Sequence, residues 1–271
     1  AVGEWPYHSG GAIGVRYTND ISINNCLFQY NKALDQRRDG LEGGGSGGAI
    51  AIWLSEIRLS KNVFRYNEAI NGGAIFIDKY STAVIDNSLF YANSASSNGG
   101  AVFVADHATP QFINCTFADN LAYYGGAIAT TEEANPYILN SIVCQNSAVE
   151  SGDQIFIEQN SNITLNYSNI EGGQNGIVGY FINNENNTNF SYDPEFNSTG
   201  AFPFTIPGHS PCIDLGIVSN LFVPQGYEQP LADLHGNQRI SGNTIDIGCF
   251  EKIVFTQVIT DISDEIPISS N

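Results

Sequence analysis

The chain has no methionine, only two tryptophans, and ten lysines and arginines against 28 aspartates and glutamates, a formal charge of −18 over 271 residues. So few cations in so acidic a chain would leave phosphate backbones and anionic bilayers repelled, which argues against DNA, RNA and membrane surfaces as partners. No apolar run approaches the ~20 residues of a membrane span, and neither a signal peptide nor an initiator methionine opens the chain. The missing methionine and the start inside a polar phrase read as an excised piece of a longer, multidomain precursor. The polar, anionic tail 253–271 reads as a linker toward a further C-terminal domain.

What is present is periodic. Gly-Gly-Ala-Ile/Val recurs from Gly10, Gly47, Gly72, Gly99 and Gly125 and decays to Ser151-Gly152-Asp153, at intervals of 37, 25, 27, 26 and 26 residues. An aromatic-x-x-Asn phrase follows each copy: Phe28/Asn31, Phe64/Asn67, Phe90/Asn93, Phe117/Asn120, and Val143/Asn146 with the aromatic lost. A fixed period in this range means one structural unit stacked on copies of itself.

Aligned on the glycines, the fourth position holds Ile13, Ile50, Ile75, Val102 and Ile128, and the sixth Val15, Ile52, Ile77, Val104 and Thr130. This period of two in β-branched residues predicts a strand with one inward face. Five residues before each aromatic anchor runs a second apolar column, Ile23, Leu59, Ile85, Phe112 and Ile138. With no helical period between them and no leucine ladder, the units predict an all-β parallel β-helix whose coils rest ~4.8 Å apart. Glycine at a corner supplies open dihedrals and a missing side chain where the next coil passes. The asparagines should stack and bond amides that a bend would orphan.

Gly-Gly-Ala-Ile paired with Phe-x-x-Asn resembles the repeat of the polymorphic outer-membrane proteins and related bacterial right-handed β-helix families, over Gly10 to about Asn169. The later segments Asp193-Pro194-Glu195-Phe196, Ser210-Pro211-Cys212-Ile213-Asp214-Leu215-Gly216 and Asp246-Ile247-Gly248-Cys249-Phe250-Glu251 look like the terminal part of secreted β-helix proteins. The resemblance implies coils over 1–170, terminal coils and an irregular C-terminal cap over 171–252, export, and a place at the bacterial cell surface. Such families hold adhesins and polysaccharide-degrading enzymes alike.

Among five cysteines, Cys26 and Cys115 fall in equivalent columns three coils apart, about 14 Å, beyond the ~7 Å a disulfide spans. Cys144 sits three positions further along its unit, and all three read as small buried hydrophobes. Cys212 and Cys249 would bridge only if the terminal segment folds back on itself. In that segment Arg239 among Asp214, Asp233, Asp246 and Glu251 predicts a buried ion-pair knot that fastens the cap onto the last coil.

The turn after the first strand carries Asp78, Asp106, Glu132 and Glu133, with Lys79, Tyr80 and His107 beside them. Carboxylates on neighbouring coils come within ~5 Å, which leaves three readings: a solvated acidic edge, a calcium site of hard oxygens, or paired catalytic carboxylates. Trp53, Tyr80, Tyr123 and Tyr124 are the aromatics placed to stack on sugars. Bases for uronate chemistry would be Lys61, Arg65, Lys79 and His107, and Lys61 stands out because it replaces an asparagine of the column Asn25, Asn87, Asn114, Asn140. The long first interval inserts a glycine-rich loop holding Arg37 and Arg38, a candidate recognition loop. These features predict a surface scaffold or adhesion module that binds polysaccharide or another surface protein; the alternative is a polysaccharide lyase or glycoside hydrolase on the same scaffold.

Overall fold

The computed structural model describes residues 10–34, 45–158, 160–179, 182–183, 188–197, 202–218 and 230–253; Arg37, Arg38 and the tail 254–271 lie outside them. The repeats form a β-solenoid in which every strand pairs in parallel with its counterpart one coil away. Four strand columns run along its axis rather than the two legible in the sequence.

The first sheet holds Ile13–Arg16, Ile50–Trp53, Ile75–Asp78, Val102–Val104, Ile128–Thr130, Ile155–Ile157 and Ile177–Val178. Its register sets Ile13, Ile50, Ile75, Val102, Ile128, Ile155 and Ile177 level with one another. A second seven-stranded sheet carries the column Ile23, Leu59, Ile85, Phe112, Ile138. The aromatic anchors are the middle residues of a third, six-stranded sheet. Phe28, Phe64, Phe90 and Phe117 stack at ring-centroid distances of 4.9, 4.7 and 4.7 Å, and Val143 continues the column where the aromatic is lost. A fourth sheet follows the asparagines, before the next glycine pair.

The two glycines do different work. Gly47, Gly72, Gly99 and Gly125 have φ between +63° and +70°, a region that costs any residue with a Cβ. Gly152 shares it at +75°, so the sixth copy starts at Gly152, one residue later than the phrase suggests. The second glycine is needed for space: a Cβ on Gly48, Gly73 or Gly100 would collide with the carbonyl of the glycine one coil on.

The asparagine ladder is continuous. Side-chain amides of Asn31, Asn67, Asn93 and Asn120 donate to Oδ1 of the next asparagine at 2.9, 2.8, 2.9 and 2.9 Å, ending at Asn146. Each Oδ1 also accepts the backbone N–H of the previous asparagine, and Asn93 Nδ2 reaches back to Phe64 O at 2.9 Å. Removing Asn93 therefore takes the acceptor from the backbone N–H and from one side-chain N–H of Asn67, and a donor from the carbonyl of Phe64, all buried. Asn93→Ala is expected to lose about 2 to 4 kcal/mol, read as a lower melting temperature in calorimetry; an unchanged one would refute the ladder's role.

The irregular terminal segment lies along the flank, as a strap. The third sheet's outward side chains are apolar and need cover: Val63, Leu89, Tyr91 and Ala118 pack with Phe204, Cys249 and Phe250, and Ile142 and Cys144 with Ile206, Cys212 and Ile247. Cys249 N–H donates to Thr116 Oγ1 at 3.1 Å, Gly248 N–H to Asn140 O at 2.8 Å, and Ile217 N–H to Asn140 Oδ1 at 2.9 Å. The strap is thus fastened to middle coils, not to the last coil alone. Its arginine is buried as expected, but it ties the strap to itself rather than to a coil: Arg239 donates to the carbonyls of Asp246 and Gly248 and lies 3.8 Å from Glu251 Oε2, while Asp214 instead accepts the N–H groups of Asn243 and Thr244. Cys212 and Cys249 are free thiols in separate apolar clusters, and burial pushes each thiol up to about 12.

Candidate functional site

Two surfaces gather the chemically interesting residues. One is the row of turns between the first and second sheets. Tyr80 N–H bonds Asp106 O and His107 N–H bonds Glu132 O, both at 2.9 Å, which sets Lys79 level with Asp106 and Glu132, and Tyr80 level with His107 and Glu133. Lys79, Tyr80, Asp106, His107, Glu132 and Glu133 all have φ between +43° and +61°, so each turn has two consecutive left-handed residues that push both side chains outward.

Lys79 Nζ forms an ion pair with Asp106. His107 Nδ1 lies 3.5 Å from Glu133 Oε2 and Nε2 lies 3.9 Å from Asp106 Oδ1. The exposed Tyr80 ring stacks on the imidazole, centroids 4.6 Å apart and planes 12° from parallel. Further up the axis Tyr17 meets Trp53 edge-on at 4.6 Å. The Trp53 indole N–H is buried without a hydrogen-bond partner among the described residues, so Trp53 offers ring surface only.

Asp78 departs from the row. It is a strand residue paired with Trp53, almost fully buried, accepting the Lys79 N–H at 2.8 Å. Burial, with help from Asp106 and Glu132, raises its carboxyl to about 6. The unfolded carboxyl ionises near 4, so the stability its neutral form contributes is present at low pH and is lost as pH rises through about 6. Asp78→Asn is expected to be more stable than the wild type at pH 8 by about 1 to 3 kcal/mol and to lose about half of that advantage by pH 5. Thermal melts of both proteins at the two pH values check this.

Among the described residues no three His, Cys, Asp or Glu side chains converge as a metal site. Of the carboxylates expected to share calcium, Asp78 is buried on the outer face of its strand, Asp106 pairs with Lys79 and Glu133 lies beside His107. Tyr123 and Tyr124 sit apart, in the fourth sheet at the opposite edge of the first. Tyr123 OH donates to Glu150 at 3.4 Å, and Tyr124 packs on Phe156 at 4.9 Å.

The second surface is a cavity of about 420 Å³ between the strap and the third sheet, and it brings Lys61 and Arg65 together. Arg65 Nε and Nη2 donate to Gln29 Oε1 at 3.0 and 2.8 Å, and Nη1 to Tyr91 OH at 2.7 Å. A smaller cavity past Tyr91 reaches Asp119, whose carboxyl burial raises. Bases that look scattered in the sequence are therefore two sets: Lys61 with Arg65 on this flank, and Lys79 with His107 on the turn row.

A column of inward aliphatics, glycine corners and parallel register define a parallel β-helix. The chain belongs to the family described as right handed beta helix region, which matches residues 48–205. Nothing matches it among curated proteins. Among the described residues no helix is long and apolar enough to cross a membrane.

Proposed function

We propose that the protein is an exported, cell-surface β-helix that binds a hydroxyl-rich polysaccharide along the turn row. The observation that carries this reading is the axial strip itself: Tyr17, Trp53 and the stacked Tyr80 and His107 supply ring surface, and Asp106, Glu132 and Glu133 supply acceptors for sugar hydroxyls one coil further on. A ligand that repeats meets an outward turn side chain at each ~4.8 Å step. Ring faces bordered by a few fixed polar groups are what saccharide recognition uses. The acidic groups suit a neutral or amino sugar chain.

A panel of polysaccharides tests this by scoring both binding and released reducing or unsaturated ends. Saturable binding without turnover, weakened at least tenfold by Tyr80→Ala combined with His107→Ala at unchanged melting temperature, supports the binding reading. Turnover would move the assignment to the glycoside hydrolase or lyase class. Neither binding nor turnover would overturn it and leave a structural stalk.

A further inference from the structure

We propose that the cavity under the strap is a second, separate binding site, for a sugar unit bearing a carboxylate or a sulfate ester, held by Lys61 and Arg65. Four of the eight described lysines and arginines are paired with a carboxylate: Lys32 with Glu68, Arg58 with Asp86, Lys79 with Asp106 and Arg239 with Glu251. Lys61 and Arg65 face the cavity and have no carboxylate partner among the described residues. Among the described residues Arg65 donates to the neutral Gln29 and Tyr91, and the Lys61 ammonium has no side-chain partner. Two half-buried cations left unneutralised on one wall of a cavity are a site for an anion.

Lys61 is also a departure from the fold's own rule. Its column is Asn25, Lys61, Asn87, Asn114 and Asn140, with φ of +55°, +55°, +45°, +53° and +49°. Asparagine tolerates that left-handed region better than lysine does, so the lysine is not there for the turn. Opposite it the strap contributes Phe202 and Leu234, which with Val63 give the cavity an apolar wall beside the cations and Tyr91 OH. An oxyanion attached to a ring with a carbon-rich face matches that division, and the volume lies in the range of small-molecule sites. A nucleic acid has the anions, but the protein's net charge of −18 opposes it.

The test is calorimetric titration of the full chain with D-glucuronate, D-glucose 6-sulfate, D-glucose and sodium sulfate. Saturable binding of one or both charged sugars, at least tenfold tighter than glucose and than free sulfate, is expected, and the favoured arm shows whether carboxylate or sulfate ester is the natural group. Lys61→Asn restores the column's asparagine, so it should fold with a melting temperature at or above the wild type while lowering charged-sugar affinity at least tenfold. Arg65→Gln should weaken binding similarly, and the Tyr80→Ala, His107→Ala double variant should leave it unchanged, which separates this site from the turn row. Equal affinity for glucose, equal affinity for sulfate alone, undiminished binding by Lys61→Asn, or no saturable binding at all would each overturn the proposal.

Discussion

Gly100→Ala is expected to cost about 3 to 5 kcal/mol, although it adds one methyl group. A Cβ there points at the neighbouring coil, colliding with Gly126 O and lying 2.7 Å from both Leu121 N and Leu121 O. These are backbone atoms of a hydrogen-bonded ladder that cannot move without breaking register in every coil above. Gly14→Ala provides the comparison, since a Cβ on Gly14 meets nothing within 4 Å. It should leave the melting temperature unchanged or slightly raised. Equal effects from the two substitutions would mean that coil spacing does not select the glycines.

Arg239→Ala should be nearly as damaging, about 3 to 5 kcal/mol, because it leaves buried carboxylates without their cation. Asp233, Asp246 and Glu251 are all almost fully buried around it. Burial, followed by the nearby Asp246, raises Glu251 to about 7 even with the arginine in place. Without the guanidinium, protonation becomes the remaining way to neutralise these acids, so the variant's loss should be larger at pH 8 than at pH 5. Arg239→Lys keeps the charge but lacks the planar guanidinium fork that meets the two carbonyls with one nitrogen and faces Glu251 with the other, and should fall between. Hydrogen exchange localises the effect: the Cys249 and Gly248 amides that tie the strap to Thr116 and Asn140 should lose protection before the asparagine ladder does. Loss of protection in the ladder first would contradict the strap as a separately fastened element.

The solenoid was legible because its physics repeats. Inward aliphatics, corner glycines and ladder asparagines each recur at one place per coil, and a column of five equivalent residues is hard to mistake. The third and fourth sheets were harder to see, since Val63-Phe64-Arg65 and Leu89-Phe90-Tyr91 are too short to show alternation and the latter is buried on both faces. The strap's position was not legible: its cover of Val63, Leu89 and Ile142 joins residues far apart in sequence, with no repeat to announce the contact. Lys61 showed itself as a break in a column, whereas its partner Arg65 became meaningful only once Phe202 and Leu234 closed a cavity over both. On the turn row, alignment by glycines put Asp78 with Asp106 and Glu132, but Asp78 ends a four-residue strand and the next coil's strand stops at Val104. That one-residue difference leaves Asp78 level with Ala105 rather than with Asp106, buried in the strand while Asp106 and Glu132 stand on the turn.

In-register stacking is what converts turn residues into axial rows, and a disulfide scan tests it most directly. Tyr80 and His107 are level on adjacent coils, ~4.8 Å apart, within reach of a disulfide; Tyr80 and Glu133 are two coils apart, about 10 Å, and beyond it. The native thiols do not interfere where they are buried, as Cys115, Cys144, Cys212 and Cys249 are. Tyr80→Cys with His107→Cys should form an intramolecular bridge under mild oxidation that raises the melting temperature, and Tyr80→Cys with Glu133→Cys should not bridge. A bridge in the second pair, or none in the first, would contradict the stacking on which the turn row and its ligand site depend.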